Sequence, residues 1–342
     1  MAKIRFPGDD VSIPFAVMSG AGTKSVIIAT RGSELALAQA NFVLAECQRL
    51  VPDLAFELRI IKTTGDRMRS ASLARIDATL SRGLFTKELE EALLAGEADL
   101  AVHSLKDLPT ELPAGLALAG VAGAREDVRD VLIYRCESKV GRVFDRGCKL
   151  KDFPPRATIA TSSTRRKAQL LAARGDFNVV EIRGNVPTRL RKLAGQPQLD
   201  AIVLAAAGLH RLKFAVDGDG GLRGQEKDLG LAATYLELDQ MLPCVGQGVL
   251  GLEARANDER MARICTALGH GETLACALAE RALLRAMGGG CQTPVGAFAS
   301  IENGVMRLRA VSFVTSEPRR ESGTAPINEA VALGERIGRL LR

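Results

Sequence analysis

Val26-Ile27-Ile28-Ala29-Thr30-Arg31-Gly32-Ser33 runs directly into Glu34 to Gln39, and a close copy returns as Ile159-Ala160-Thr161-Ser162-Ser163-Thr164-Arg165-Arg166 before Lys167 to Leu171. Each copy reads as a buried strand, a hydroxyl-rich turn with arginine, and an amphipathic helix. The first backbone N–H groups of such a helix lack partners within it and lie at the positive end of its dipole, so the turn suits an anion. Taken singly, Thr30, Ser33, Ser162 and Ser163 read equally well as ordinary helix caps. Two copies in one chain favour a pair of similar α/β lobes presenting anion sites to one cleft.

The whole composition bounds this reading. The chain has 342 residues, 46% hydrophobic and 25% charged, enough for two or three domains with cores of their own. A net charge of +6 permits nucleic acid as a partner, but aromatic residues are only 4% and tryptophan is absent. The basic residues cluster with Ser, Thr and Gly instead of stacking platforms, so small anions are expected and nucleic acid is not. Cysteines at 47, 136, 148, 244, 265, 276 and 291 include no CxxC pair, the usage of a reduced cytoplasmic protein without a metal site. The longest strongly apolar stretch, 201–209, is too short to span a membrane. Residues 1–24 read as a loose leader, with Asp9 and Asp10 where a signal peptide needs positive charge.

Outward from the first phrase, the pattern predicts a helix over 35–50, a strand over 56–61, a helix over 87–94 and a buried strand over 100–102, which imply a mostly parallel sheet. Residues 125–130 are a charged crossing point, after which strands are expected from 131, at 159, over 179–182 and over 201–204. A Gly- and Asp-rich loop is expected over 217–224, and the Gly-rich stretch 242–251 suits a chain returning between lobes. Its literal G-x-G-x-x-G match, 246–251, is discounted as a dinucleotide site because no strand precedes it and no acidic residue sits about 20 positions on. A helix through Ala282 to Leu284 then runs into Gly288-Gly289-Gly290, with strands beyond. The expected units are 25–124 with 247–268, then 125–246, then a small third domain, 269–342.

Arg183, Gly184 and Arg189 follow an apolar strand, and with Arg31, Arg165, Arg166 and Arg211 they form a set of guanidinium forks suited to carboxylates. Each charged hydrogen bond contributes about 1.5–3 kcal/mol, so the ligand expected bears several carboxylates, although some arginines are expected to pair with Glu181 or Asp176 instead. Lys106 and Asp107 follow the strand at 100–102, and open α/β sheets bind ligands beyond the carboxyl ends of their strands. Asp107 is then a lone carboxylate among arginines. Near a transient cation it contributes about 4 kcal/mol at an effective dielectric of about 20; its plain alternative is to cap a turn. Cys291 follows three glycines and reads as presented on a loop, either as a nucleophilic thiol or as an unreactive loop cysteine.

From about Val26 to its end, the chain resembles the porphobilinogen deaminase family, also called hydroxymethylbilane synthases, of tetrapyrrole biosynthesis. AVHSLKDLP, REDVRD, TSSTRR, RGNVPTRL, LPCVGQG, AERALL and GGCQTPVG carry the likeness in consecutive order. It implies an α/β protein of three domains, two lobes of the type II periplasmic-binding-protein kind and a small α+β domain whose cysteine, here Cys291, bears a dipyrromethane cofactor through a thioether. It implies that Asp107 assists loss of ammonia from porphobilinogen and stabilises the azafulvenium that results. Four additions, then water, give hydroxymethylbilane while the cofactor stays behind. By motif match the cofactor is held by Ser104, Lys106, Thr161, Ser162, Ser163, Arg165, Arg166, Arg183, Gly184 and Arg189, and the substrate by Arg31, Ser33, Gln39, Phe85 and Arg211. A cytoplasmic monomer passing its product to uroporphyrinogen-III synthase is expected. The family's GGKGLF lid is replaced by Asp77-Ala78-Thr79-Leu80-Ser81-Arg82-Gly83-Leu84-Phe85, with Arg82 where the lysine is usual and Phe85 matching the residue that covers the rings. The rival reading is a two-lobed binding protein for a small dicarboxylate, which needs neither Asp107 beside Lys106 nor a presented Cys291.

Overall fold

In the computed structural model, which describes residues 25–63, 86–224, 229–290 and 292–342, the two repeated phrases become β1 (Val26–Arg31) leading to α1 (Glu34–Leu50), and β6 (Thr158–Ala160) leading to α3 (Thr164–Ala173). Both helices begin at a serine: Ser33 accepts from the Ala36 N–H and Ser163 from the Arg166 N–H. The second helix therefore starts three residues before the expected Lys167. Arg165 and Arg166 lie in its first turn. Ala36, Gln39, Ala40, Val43 and Cys47 form the buried stripe of α1 at helical spacing.

The first sheet has the order β2–β1–β3–β12–β4, with β2 at Phe56–Ile61, β3 at Leu100–Ser104, β4 at Leu116–Val121 and β12 at Leu250–Arg255. The second repeats it as β11–β5–β8–β6–β7, with β5 at Asp130–Arg135, β7 at Asn178–Val180, β8 at Ala201–Ala205 and β11 at Leu231–Leu236. Four strands of each sheet run the same way, in line with the expected parallel pattern. One strand in each, β12 and β5, runs against its neighbours on both sides. The cause is the crossing: Asp130 pairs with Ala205 and Leu250 with Ser104, so the chain enters each lobe at the edge where the parallel strands end and must run back. The expected loop at 217–224 contains β10 (Leu222–Arg223), which pairs with β9 (Ala215–Val216).

Helix α2 (Lys87–Leu94) packs on the first sheet through Leu89, Ala92 and Leu93. On the second lobe, α4 (Val186–Gly195) packs on β8, and α5 (Ala206–Arg211) follows β8 without a loop. The return segment leads into β12 and then α6 (Glu259–Leu268), whose Met261, Ile264, Cys265 and Leu268 share a core with α1 and β1. A strand, not a helix, follows Gly246-Gln247-Gly248, which removes the dinucleotide fingerprint.

The third unit is an antiparallel meander of β13 (Val295–Glu302), β14 (Val305–Ser312) and β15 (Arg319–Pro326), covered by α7 (Gly271–Ala286) and α8 (Ala330–Leu340). The helices touch backbone to backbone. A Cβ on Gly334 would lie 2.1 Å from the Ala279 carbonyl oxygen. Fully buried Glu280 joins this unit to the crossing segments: it accepts from Arg125 at 2.6 Å, from the Gly246 N–H at 2.8 Å and from the Ala299 N–H at 2.8 Å. No helix among the described residues is long and apolar enough to cross a membrane.

Candidate active site

The crossing segments 125–129 and 243–248 are tied to each other, Arg125 donating to the Gln247 carbonyl at 2.8 Å and Gln247 to the Val128 carbonyl at 2.7 Å. At the end of β3 a single 3-10 turn, Leu105–Asp107, buries Leu105 and carries half-buried Lys106 and exposed Asp107. Ser104, just before it, is fixed by buried Gln39 of α1, whose amide donates to the hydroxyl at 2.8 Å. The segment after Asp107 is held from the third unit, where Arg281 donates to the carbonyls of Leu108 and Pro109 at 3.0 and 2.6 Å.

On the second lobe the hydroxyls serve the turn itself. Thr161 accepts from the Ser163 N–H, Ser162 donates to the Ile182 carbonyl at 2.6 Å, and Ser163 caps α3. On the first lobe Thr30 donates to the Ala36 carbonyl at 3.2 Å. The cap reading therefore holds for Ser33 and Ser163, whereas Thr30 and Ser162 donate to backbone carbonyls and cap no helix; what each turn leaves for a ligand is backbone N–H and guanidinium. At Arg183-Gly184-Asn185 the glycine takes φ +117°, and a Cβ there would lie 2.6 Å from the Thr188 methyl. Only glycine makes this turn without strain.

The arginines divide into two groups. Arg165 and Arg166 are buried against an internal carboxylate: Asp130 receives each at 2.8 Å, while Arg165 also donates to the Leu242 carbonyl and Arg166 to the Val203 carbonyl. Burial alone would raise the Asp130 carboxyl; the two guanidiniums outweigh it and hold it well below the usual carboxylate range. The pairing expected for some arginines is realised here, with an acid that sequence reasoning did not single out. Arg183 stands 3.6 Å from Glu181, as allowed for.

Arg189 and Arg211 form the second group. They donate to the carbonyls of Gly184 and Gly248, at 2.8 and 2.7 Å. Burial lowers the guanidinium of Arg189 to about 10, with Arg166 and Arg183 adding repulsion against the pull of Asp107. Burial does the same to Arg211, also to about 10, against the pull of Glu126. Lys106 is likewise pushed down by burial, opposed by Asp107 and reinforced by Arg166. Arg31 and Ser33 lie at the matching end of β1 in the first lobe.

A small pocket of about 20 Å³ lies between Lys106 and the third unit, lined also by Cys244, Arg281, Gly290 and Thr293 among others. The turn there is closed by the Thr293 N–H to the Gly290 carbonyl, with the Gly290 N–H donating to the Thr293 hydroxyl, both at 2.9 Å. Cys291 lies between them in sequence and, with Phe85, Arg82 and the 1–24 leader, falls outside the described residues. Among the described residues, two buried donors, the Nε–H of Arg165 and of Arg166, have no partner, and the pocket lining carries two cations, Lys106 and Arg281. These residues fit a group bearing several carboxylates. Asp130, Cys244, Gln247 and Arg281 were missed in the sequence because nothing in their spacing marks them; the strand order alone brings them to the cleft.

Fold and site together define a two-lobed α/β protein with a third α+β unit at the cleft, built around buried cations for a polycarboxylate. The profile described as "Porphobilinogen deaminase, dipyromethane cofactor binding domain" matches residues 26–263, and "Porphobilinogen deaminase, C-terminal domain" matches 274–342. A porphobilinogen deaminase of Chlorobium chlorochromatii is 45% identical over 311 residues, 91% of this chain and 88% of its own. That of Chlorobaculum tepidum is 42% identical over 323 residues, 93% and 94% of the two chains. The chain belongs to the porphobilinogen deaminase family, transferases with a dipyrromethane cofactor. Membership disfavours the dicarboxylate-carrier reading. Among solved structures, the periplasmic aliphatic sulphonate binding protein SsuA from Escherichia coli aligns over 77% of this chain and 70% of its own at 14% identity, with a TM-score of 0.37.

Proposed function

We propose that this cleft joins four molecules of porphobilinogen head to tail, releasing ammonia and yielding hydroxymethylbilane, with Asp107 as its catalytic residue. The observation that carries the reading is the 3-10 turn at the end of β3, which sets the Asp107 carboxylate next to Lys106, itself part of the pocket lining that reaches Gly290 and Thr293, with Arg189 near enough to feel that carboxylate. When bound, the dipyrromethane supplies the pyrrole α-carbon from which the chain grows, and Cys291 is the residue we assign to its thioether.

The chain's own groups divide the work by charge. Acetate and propionate groups bring several negative charges with each ring, and Arg31, Lys106, Arg183, Arg189 and Arg211 meet them with guanidinium and ammonium donors, of which Lys106, Arg189 and Arg211 are desolvated by folding. Arg165 and Arg166 offer their unpartnered Nε–H donors, while Asp130 keeps their other ends fixed. Backbone N–H groups beyond Ser33, Ser163 and Gly184 add dipoles of the same sign. Asp107 faces the aminomethyl carbon of porphobilinogen and stabilises the positive charge that grows as ammonia leaves, worth about 4 kcal/mol at an effective dielectric near 20. Gln39, Ser104 and Arg281 hold the turn that aims it.

A cytoplasmic monomer that passes its product to uroporphyrinogen-III synthase completes the reading. The even dispersal of cysteines through the chain supports the compartment. The test is turnover of porphobilinogen by Asp107→Ala. It is expected to keep the fold and the bound cofactor and to lose nearly all activity, on the order of a thousandfold for about 4 kcal/mol; near-normal turnover refutes the role.

A further inference from the structure

The carboxyl end of α5 is tied to both crossing segments by adjacent residues. Arg211 donates to the Gly248 carbonyl at 2.7 Å, and the Glu126 N–H donates to that same oxygen at 3.2 Å. His210 Nδ1 lies 3.2 Å from Glu126 Oε1, and its Nε2 lies 3.1 Å from the Tyr235 hydroxyl on β11. The Glu126 carboxylate, His210, Arg211, the Gly248 carbonyl and the Glu126 N–H thus close a ring that joins α5 to both crossing segments. The other charged groups packed here are Asp127, Arg129 and Glu237: Arg129 pairs with both acids at 2.8 Å and lies 4.2 Å over the Tyr235 ring.

The tyrosine hydroxyl lets this ring of contacts hold in either charge state of the imidazole. With a neutral His210, Nδ1–H donates to Glu126 and Nε2 accepts from Tyr235; with a protonated one, both nitrogens donate and the hydroxyl accepts. The contacts persist while the charge changes. Glu126 shares the Gly248 carbonyl with half-buried Arg211 through its backbone N–H, its carboxylate favours the Arg211 cation, and it also bonds His210.

We propose that His210 is a positioning residue that sets the affinity of Arg211 for substrate carboxylates, by deciding how much of the Glu126 charge Arg211 feels. Protonated His210 engages Glu126 as an ion pair and leaves the Arg211 charge for the ligand. Neutral His210 leaves Glu126 to offset Arg211. The inference rests on the reading of Arg211 as a carboxylate-holding residue, and its experiment separates the two.

The measurement is KM and kcat for porphobilinogen with the holoenzyme from pH 6 to 8, the range where histidine titrates and substrate carboxylates do not. Wild type is expected to show KM roughly threefold lower at the acid end, the effect of one solvent-screened charge. His210→Gln is expected to flatten the profile at the wild-type alkaline value. Glu126→Gln is expected to flatten it at the acid value, the opposite direction, which loosened packing would not give. If wild-type KM does not change with pH, or if both variants keep its profile while Arg211→Gln raises KM, the His210 role is overturned and Arg211 stands. If Arg211→Gln leaves KM unchanged, the carboxylate reading of Arg211 falls and the inference with it.

Discussion

Asp130 decides more of the cleft than its place in the sequence announces. It receives two guanidiniums and the Gln247 amide while fully buried, and removing one partner of such a cluster leaves uncompensated charge. Asp130→Asn is expected to cost about 3–5 kcal/mol in urea denaturation at pH 7. The pH dependence has a definite sign. Because the folded carboxyl is held below its ordinary value, its contribution is present above about pH 4 and is lost as pH falls below that. Asp130→Asn should therefore flatten the acid limb of the stability curve, and an unchanged acid limb would show that the arginines do not depend on it. At this scale the sequence was legible in residue type and blind to pairing. Arginines at strand ends announce anions, but which ones an internal acid already holds depends on a strand, β5, reversed against its neighbours.

Elements read well where periodicity and caps agree. The strand at 56–61 and the helix at 87–94 fall where the pattern predicts them, because strict apolar spacing leaves one face to bury. The misreadings lie at turns: α3 begins at Thr164 because the Ser163 hydroxyl satisfies the Arg166 N–H, and the hairpin at 215–223 hides in a run that composition assigns to a loop. In the third unit the α7–α8 contact sets a prediction of its own. Gly334→Ala puts a methyl 2.1 Å from the Ala279 carbonyl oxygen, a backbone clash that no side-chain rotation relieves. It is expected to destabilise by about 1–3 kcal/mol, read as a Tm lower by several degrees. A Tm at or above wild type would mean the helices move apart freely.

For the whole molecule, one strand order drawn twice, each with its reversed strand at the crossing, brings the two anion turns to a single cleft, and Glu280 anchors the third unit to both crossing segments. The repeat, the crossing points and the α+β third unit were all legible, because a duplicated phrase and a restart of strand-helix alternation are long-range signals. The closing contacts were not, since Glu280, Arg281 and Asp130 meet their partners only in three dimensions. The central claim is that this cleft works on a group anchored at Cys291. Its most direct test is the intact mass of the denatured protein beside that of Cys291→Ser. The account predicts that wild type carries an added mass equal to two porphobilinogen units less two ammonias, and that the variant lacks it. The same increment on Cys291→Ser, or none on wild type even after incubation with porphobilinogen, would contradict it.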